Sequence, residues 1–174
     1  MLPITILNES PKVKTHDVNI TLAEYDTAYI VNEFGDMMYK LAMAQVNNKS
    51  DAYDAVQDVM LKIHIKKPVW NTPEHVKAWL IRATINRCRD YNRKNKHSVE
   101  LCYVYDMAQD SPNYELQEAL ANLKQKYKEV LYLHYYEGYK IREIANILKV
   151  GESAVKKRLV QGRELLRESM KNGE

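Results

Sequence analysis

The chain has 174 residues and a formal net charge of +3, with 45% hydrophobic and 28% charged residues, which predicts a globular protein of one domain or two small ones. With only five glycines and five prolines, the composition favours an all-helical fold. The sequence has no apolar run long enough for membrane insertion, no signal-peptide pattern and no metal-ligand spacing among its histidines, Cys88 and Cys102. We therefore expect no metal or other cofactor, and two free thiols in the cytoplasm.

The N-terminal half is predicted to be a tail followed by three helices. Residues 1–20 favour a loosely ordered tail. Apolar periodicity predicts helices at about residues 22–46, 51–65 and 73–94. Ser50 or Asp51 is expected to cap the second helix, and Thr72 to cap the third.

The face of the second helix opposite its apolar stripe combines acidic residues with an outward leucine. Its members are Asp54, Gln57, Asp58, Leu61 and Ile65. Such a face suits a protein interface with an apolar centre and a polar rim. Scattered apolar surface residues are common, however, and are an equally good explanation on this pattern alone.

The third helix carries a polar row with an aromatic residue near its start. On a helical wheel, one sector holds His75, Trp79, Arg82, Asn86, Arg89 and Arg93. Cationic side chains that contact phosphates, next to an aromatic ring that stacks on a base, are typical of a surface that binds partly unpaired nucleic acid. Trp70 and Asn71, in the preceding loop, are predicted to hold an extruded base. For Trp79 alone, a core position is the competing interpretation.

Charge is distributed unevenly along the rest of the chain. Residues 82–97 carry six basic side chains and one acidic side chain, and residues 149–167 carry six basic and two acidic side chains. Between them, residues 100–118 carry five acidic side chains and no basic one. Residues 98–113 also lose the helical pattern and are predicted to be an acidic, flexible interdomain linker. Two basic stretches on either side of an acidic spacer predict two surfaces that bind a polyanion. The alternative is that these are ordinary helix surfaces, which carry charge because they face solvent.

The C-terminal part predicts a helix-turn-helix motif. Helical patterning resumes at Tyr114, and a turn at Lys149–Gly151 separates two short amphipathic helices, with the small Ala145 at the expected crossing. The second helix would enter a DNA major groove, with polar side chains on base edges and cations on phosphates. The residues predicted to contact DNA are Ser153, Lys156, Lys157, Arg158 and Gln161. A helical hairpin with a solvated basic face is the alternative.

Together these segments resemble a small RNA polymerase sigma factor of the extracytoplasmic-function (ECF) type, over about residues 22–170. "DAYDAVQDVMLKI" resembles the family's core-binding helix, and "EHVKAWLIRATINRCRDYNRK" resembles its promoter −10 helix. "ALANLKQKYKEVLYLHYYEGYKIREIANILKVGESAVKKRLVQGRELLRE" resembles its fourth region. The chain departs from the family at the turn, where Lys149 stands in place of the usual Gly at a cost on the order of 1 kcal/mol.

The resemblance implies two helical domains, sigma-2 at residues 21–97 and sigma-4 at residues 114–174. It implies that Asp54, Gln57, Asp58 and Leu61 meet the coiled coil of the polymerase β′ subunit. The −10 element would face Trp79, Arg82, Asn86 and Arg89, with the loop at Trp70 and Asn71 near a flipped base. The −35 element would be read by the residues of the second helix of the motif. Sigma-4 would also contact the β flap, and an anti-sigma factor is a further implied partner.

The alternative function is a stand-alone helix-turn-helix transcriptional regulator with an N-terminal dimerisation or sensing module. Such a module would have no need of the polar row on the third helix. An enzyme is disfavoured, because the sequence has no phosphate-binding Gly loop, nucleophile motif or metal spacing.

Overall fold

The computed structural model describes residues 27–46, 48–68, 70, 72–94 and 114–171. The helices are α1 (Thr27–Gln45), α2 (Lys49–Lys66), α3 (Pro73–Lys94), α4 (Tyr114–Asn122), α5 (Gln125–Leu131), α6 (Ile141–Leu148) and α7 (Glu152–Lys171). We call α1–α3 the N-terminal bundle and α4–α7 the C-terminal bundle. The all-helical fold predicted from the sequence is confirmed across the described ranges, whereas the predicted tail and linker lie outside them.

Helix α2 begins earlier than the sequence predicted, because its cap is Asn48 rather than Ser50 or Asp51. Asn48 has an extended backbone, and its side-chain oxygen accepts a hydrogen bond from the backbone N–H of Asp51 at 2.7 Å. The helix ends where Lys67 adopts a left-handed conformation with φ 41° and donates its N–H to Ile63. Pro68 follows at once and cannot continue the helix.

The cap predicted for α3 is confirmed. The Thr72 hydroxyl accepts a hydrogen bond from the backbone N–H of His75 at 3.3 Å, and Pro73 occupies the first helical position. Proline suits this position, because its missing N–H would lack a helical partner in any case.

The N-terminal bundle has an apolar core built from all three helices and the loop before α3. Its fully or nearly buried members are Ile30, Met38, Val59, Ile63, Trp70, Val76 and Leu80. A second cluster, around Ala42, Ala52, Ala55 and Cys88, packs the other end of the same helices. Small alanines at the second cluster allow α1 and α2 to approach closely.

The C-terminal bundle packs α7 against α5 through a glycine. A Cβ placed on Gly162 would lie 3.0 Å from Cδ1 of Leu131, so only glycine allows this approach without movement of the neighbour. Helix α5 continues into a π-helical turn at Tyr132–Tyr136, and Gly138, with φ 74°, turns the chain toward α6. Helices α6 and α7 follow as a packed pair, with α7 against α5.

The two bundles pack against each other, which the sequence did not predict. One apolar cluster contains Leu41, Ile81 and Ile85 of the N-terminal bundle together with Ile144 and Leu148 of α6. Helix α3 lies against α6, and α1 lies against α5. The side of α3 that carries the polar row therefore faces the C-terminal bundle.

Candidate nucleic-acid interface

Helices α6 and α7 form the predicted helix-turn-helix. Lys149 adopts the left-handed conformation, with φ 56°, and its N–H is donated to the carbonyl of Ala145. The Gly151 carbonyl then accepts hydrogen bonds from Ala154 and Val155 at 3.0 and 3.2 Å, which starts α7. A lysine thus takes the turn position where glycine was expected, at an unfavourable free energy on the order of 1 kcal/mol.

The first two turns of α7 present an exposed polar and cationic face. Ser153, Lys156 and Lys157 are exposed and Arg158 is half-buried, whereas Val155 and Leu159 are buried beneath them. This is the separation of faces that lets a recognition helix pack on its own domain while its other side meets DNA.

Gln161 does not point into solvent as the helical wheel predicted. It is half-buried, and its side-chain oxygen accepts a hydrogen bond from the Tyr127 hydroxyl at 3.2 Å. The close approach of α7 to α5 at Gly162 draws the neighbouring residue inward as well. Gln161 therefore holds α7 on α5 in this structure.

The polar row of α3 is present, but its arginines are not free. Arg82 donates from Nε to the carbonyl oxygen of Ile147 at 2.6 Å and from Nη2 to that of Asn146 at 3.1 Å. These carbonyls belong to the last turn of α6, where a helix lacks internal partners for its acceptors and carries partial negative charge. Arg82 is thus a cross-bundle cap for the first helix of the helix-turn-helix.

Arg89 is engaged by a carboxylate of the C-terminal bundle. Its Nε and Nη2 donate to the two oxygens of Glu129 at 2.7 and 2.6 Å, and its Nη1 donates to Asn86 at 3.1 Å. The Glu129 side chain has no exposed surface, whereas that of Arg89 is 40% exposed. The hydrogen bond to Glu129 raises the pKa of Arg89 above its usual value. Arg82 and Arg89 are therefore both engaged by groups of the C-terminal bundle in this structure.

Side-chain amides and a further ion pair extend the same interface. The Asn92 amide donates to the Gln45 carbonyl at 2.8 Å and to the Gln125 side chain, and Gln125 donates to the Gln45 side chain at 3.0 Å. Lys77 pairs with Glu137 at 3.1 Å at the other end of α3. Polar contacts thus surround the apolar centre where the two bundles meet.

The two tryptophans have different environments. Trp70 is buried, 7% exposed, and contacts Trp79 edge to face with ring centroids 5.7 Å apart. Trp79 is half-buried, with the Lys62 ammonium 5.8 Å from its ring centroid. Trp70 therefore belongs to the core, contrary to the prediction that it would hold an extruded base. Asn71 lies outside the described residues.

The outer face of α2 is partly as predicted. Asp54, Gln57 and Leu61 are exposed, and 56% of Leu61 is accessible. Asp58 differs, because one of its oxygens accepts hydrogen bonds from Arg87 Nε at 2.7 Å and from the Tyr91 hydroxyl at 2.9 Å. Asp58 joins α2 to α3, so its first role in this structure is to hold the two helices together.

Sequence reasoning missed Glu129, Arg87 and Tyr91. Glu129 lies within the buried stretch of α5. The signal in the sequence that could have identified it is that an acidic side chain stands at a position where an apolar one is expected. Arg87 and Tyr91 lie one turn apart on α3, which a search for pairs facing the acidic side of α2 could have found.

No group of metal-ligating side chains occurs among the described residues, and none of their helices is long and apolar enough to span a bilayer. The free thiol of Cys88 is buried, and burial raises its pKa to about 12. The described surface thus offers charged faces and an exposed apolar side chain on α2, the features of a binding protein.

Comparisons with known proteins agree with this organisation. Residues 30–98 match the family model Sigma-70 region 2, and residues 114–166 match Sigma-70, region 4. The chain is 30% identical over 138 residues to RNA polymerase sigma factor SigV of Bacillus subtilis, covering 74% of this chain and 81% of that protein. It is also 30% identical over 135 residues to ECF RNA polymerase sigma factor SigM of Mycobacterium tuberculosis, covering 74% and 69%.

Solved structures share the fold. The sigma factor RpoE of Bartonella quintana, in complex with the anti-sigma factor NepR, superposes with a TM-score of 0.67 at 21% identity, over 84% of this chain and 97% of that one. CnrH, in complex with the cytosolic domain of CnrY, gives a TM-score of 0.63 at 21% identity, over 85% and 89%. The match to region 2 also removes the alternative of an N-terminal sensing module. The chain belongs to the sigma-70 family of RNA polymerase sigma factors, in its ECF group, and it directs the polymerase to promoters without covalent chemistry of its own.

Proposed function

We propose that the two bundles divide promoter recognition between them, with α7 reading the −35 element and α3 the −10 element. The observation that carries this proposal is the exposed face of α7, where Ser153, Lys156 and Lys157 stand above a buried apolar face. The serine hydroxyl suits base edges, and the lysines suit phosphates on either side of the groove. Arg158 joins them from the side, and Gln161 positions the helix through Tyr127.

In the same proposal, the polar row on α3 binds the −10 strand. Trp79, Arg82, Asn86 and Arg89 share one side of α3, and the groups that now meet the two arginines are a carboxylate and carbonyl oxygens. Those acceptors resemble phosphate and base oxygens in their chemistry. The half-buried ring of Trp79 supplies a stacking surface at the start of the row.

Core RNA polymerase is proposed to dock on α2 through its β′ coiled coil. Asp54 and Gln57 form a polar rim around the exposed Leu61, and Asp58 holds this face in register with α3. The C-terminal bundle is proposed to meet the β flap. An anti-sigma factor is a further proposed partner, since two similar folds were solved with such proteins or with a partner's cytosolic domain. A factor that acts on polymerase and DNA works in the cytoplasm.

The test is run-off transcription with purified core polymerase, followed by mapping of the start sites. The proposal expects transcripts from a defined set of promoters that share a −35 and a −10 element, and it expects Leu61→Ala to weaken association with the core. The exposed Val31 on α1 provides the matched control, because Val31→Ala removes an exposed aliphatic side chain away from the α2 face. Transcription that starts without any shared −10 element would contradict the role given to α3.

A further inference from the structure

Charge changes sign along helix α2. Residues 50–58 carry three aspartates and no basic side chain, whereas residues 59–73 carry three lysines and no acidic side chain. The three lysines are Lys62, Lys66 and Lys67, all exposed, and we call them the basic end of α2. We propose that the basic end of α2 binds phosphates of single-stranded DNA and extends the nucleic-acid surface of α3 beyond Trp79. This inference rests on the proposed role of α3 and adds a second helix to it.

Lys62 connects the basic end of α2 to the polar row of α3. Its ammonium lies 5.8 Å from the centroid of the Trp79 ring, near the outer limit of a cation–π contact. Lys66 follows one helical turn later, so the two ammonium groups lie on the same side of α2. The cationic surface therefore begins at the tryptophan ring and runs along α2 away from it.

The Trp79 ring is held in place by the core beneath it. It contacts the buried Trp70 edge to face and packs against the apolar cluster that contains Val59 and Ile63. A ring that is fixed and half-buried offers a face on which a base can stack. When a base takes that face, the ammonium of Lys62 moves on its flexible stem to the phosphate of the same nucleotide, and Lys66 meets the next phosphate.

The lysines at the basic end of α2 are available to a phosphate. No carboxylate of the described residues lies within ion-pair distance of Lys62, Lys66 or Lys67. Arg87 and Arg89 on α3 differ, because each is paired with a carboxylate. A phosphate that approaches the end of α2 therefore has no protein carboxylate to displace.

A structural role in the helix is the competing explanation for these cations. Basic side chains near the C-terminal end of a helix stabilise it through the partial negative charge there, but the effect falls off within the last turn. Lys66 lies in the last turn of α2, whereas Lys62 lies one turn earlier and beside the Trp79 ring. The helix end thus explains Lys66 but not Lys62, and measurements of stability separate the two roles.

The test measures binding of a labelled oligo-dT of about 12 nucleotides to the full-length protein, by fluorescence anisotropy at several salt concentrations. Each phosphate contact that is lost should reduce the slope of log K against log salt by about 0.7. We expect that reduction for Lys62→Ala and for Lys66→Ala, and a reduction of about 1.4 for the double variant. Lys124→Ala removes an exposed cation from the C-terminal bundle and should keep the wild-type slope.

Two further measurements on the same variants distinguish DNA binding from the other roles. The urea midpoint and the pull-down by core polymerase should both be unchanged in Lys62→Ala. Lys67 is left intact, because its left-handed backbone ends the helix. A polymerase pull-down that falls while the oligo-dT slope stays at the wild-type value would assign the lysines to a protein contact and overturn the inference.

The inference is also overturned if wild type shows no measurable oligo-dT binding, or if the double variant keeps the wild-type slope. The proposed function fails on a different result, which is the absence of promoter-directed transcripts from wild type with core polymerase. Normal transcripts together with an unchanged slope in the double variant would therefore remove the basic end of α2 from the DNA surface and leave α3 on it.

Discussion

Arg82 caps the helix that ends at Leu148, with its Nε 2.6 Å from the carbonyl oxygen of Ile147, which lies 65 positions further along the chain. The side chain expected to meet promoter DNA thus also stabilises the fold of the other bundle. A substitution at Arg82 must therefore be assessed in two conformations, one with the bundles in contact and one with the polymerase bound.

Arg82→Ala should impair strand opening while sparing upstream duplex binding. In the polymerase complex it removes one charge-assisted contact of about 1.5 kcal/mol, so opening should fall by roughly tenfold. Permanganate reactivity of thymines near the start site measures opening, and a gel shift with a −35 duplex measures upstream binding. Lys94→Ala, an exposed cation at the end of α3, is the control. Equal losses in the two assays would contradict the division of labour.

Lys157→Ala should weaken contacts with the −35 duplex and leave the fold intact. The side chain is exposed, so the free energy of unfolding should change by less than about 0.5 kcal/mol. Loss of one phosphate contact should reduce the slope of log K against log salt by about 1. Titrations of holoenzyme on promoter duplex at several salt concentrations give this slope, and an unchanged slope would place Lys157 off the DNA backbone.

Asp58→Ala should destabilise the N-terminal bundle, whereas Asp54→Ala should not. Asp58 accepts from both Arg87 and Tyr91, so its removal leaves two donors without their partner, at about 1–3 kcal/mol. Asp54 is exposed, and its substitution should act on polymerase binding instead. Urea unfolding and pull-down by core polymerase separate the two effects. Equal stability in the two variants would mean that the Asp58 contacts contribute nothing to folding.

Stability of the C-terminal bundle should rise between about pH 8 and pH 10. Burial lowers the pKa of Lys128 from 10.5 to about 8, and its ammonium donates to the Ala121 carbonyl at 2.7 Å. In this window the unfolded chain holds a proton that the folded chain has released, so raising the pH favours folding. Urea midpoints at pH 7.5 and 9.5 measure the effect. Lys128→Met should remove the rise and leave the opposite effect of Cys88, whose raised pKa lowers stability above about pH 9. A rise that persists in Lys128→Met would assign it to another group.

The helices and the exposed faces of α2 and α7 were predictable because they depend on local periodicity. The alternation of Val155 and Leu159 with polar neighbours defines α7, and Thr72 with Pro73 defines the start of α3. The partners of Arg82 and Arg89 were not predictable, because a helical wheel shows which side chains share a face and not what covers that face. The helical wheel placed Gln161 on the exposed face for a related reason. The short distance between α5 and α7 at Gly162 depends on tertiary packing, which a helical wheel does not show.

The amide cluster of Gln45, Asn92 and Gln125 joins the two bundles without touching any residue proposed to read bases. Substitutions at these three positions should therefore change how tightly the bundles pack against each other, while the promoter preference stays the same.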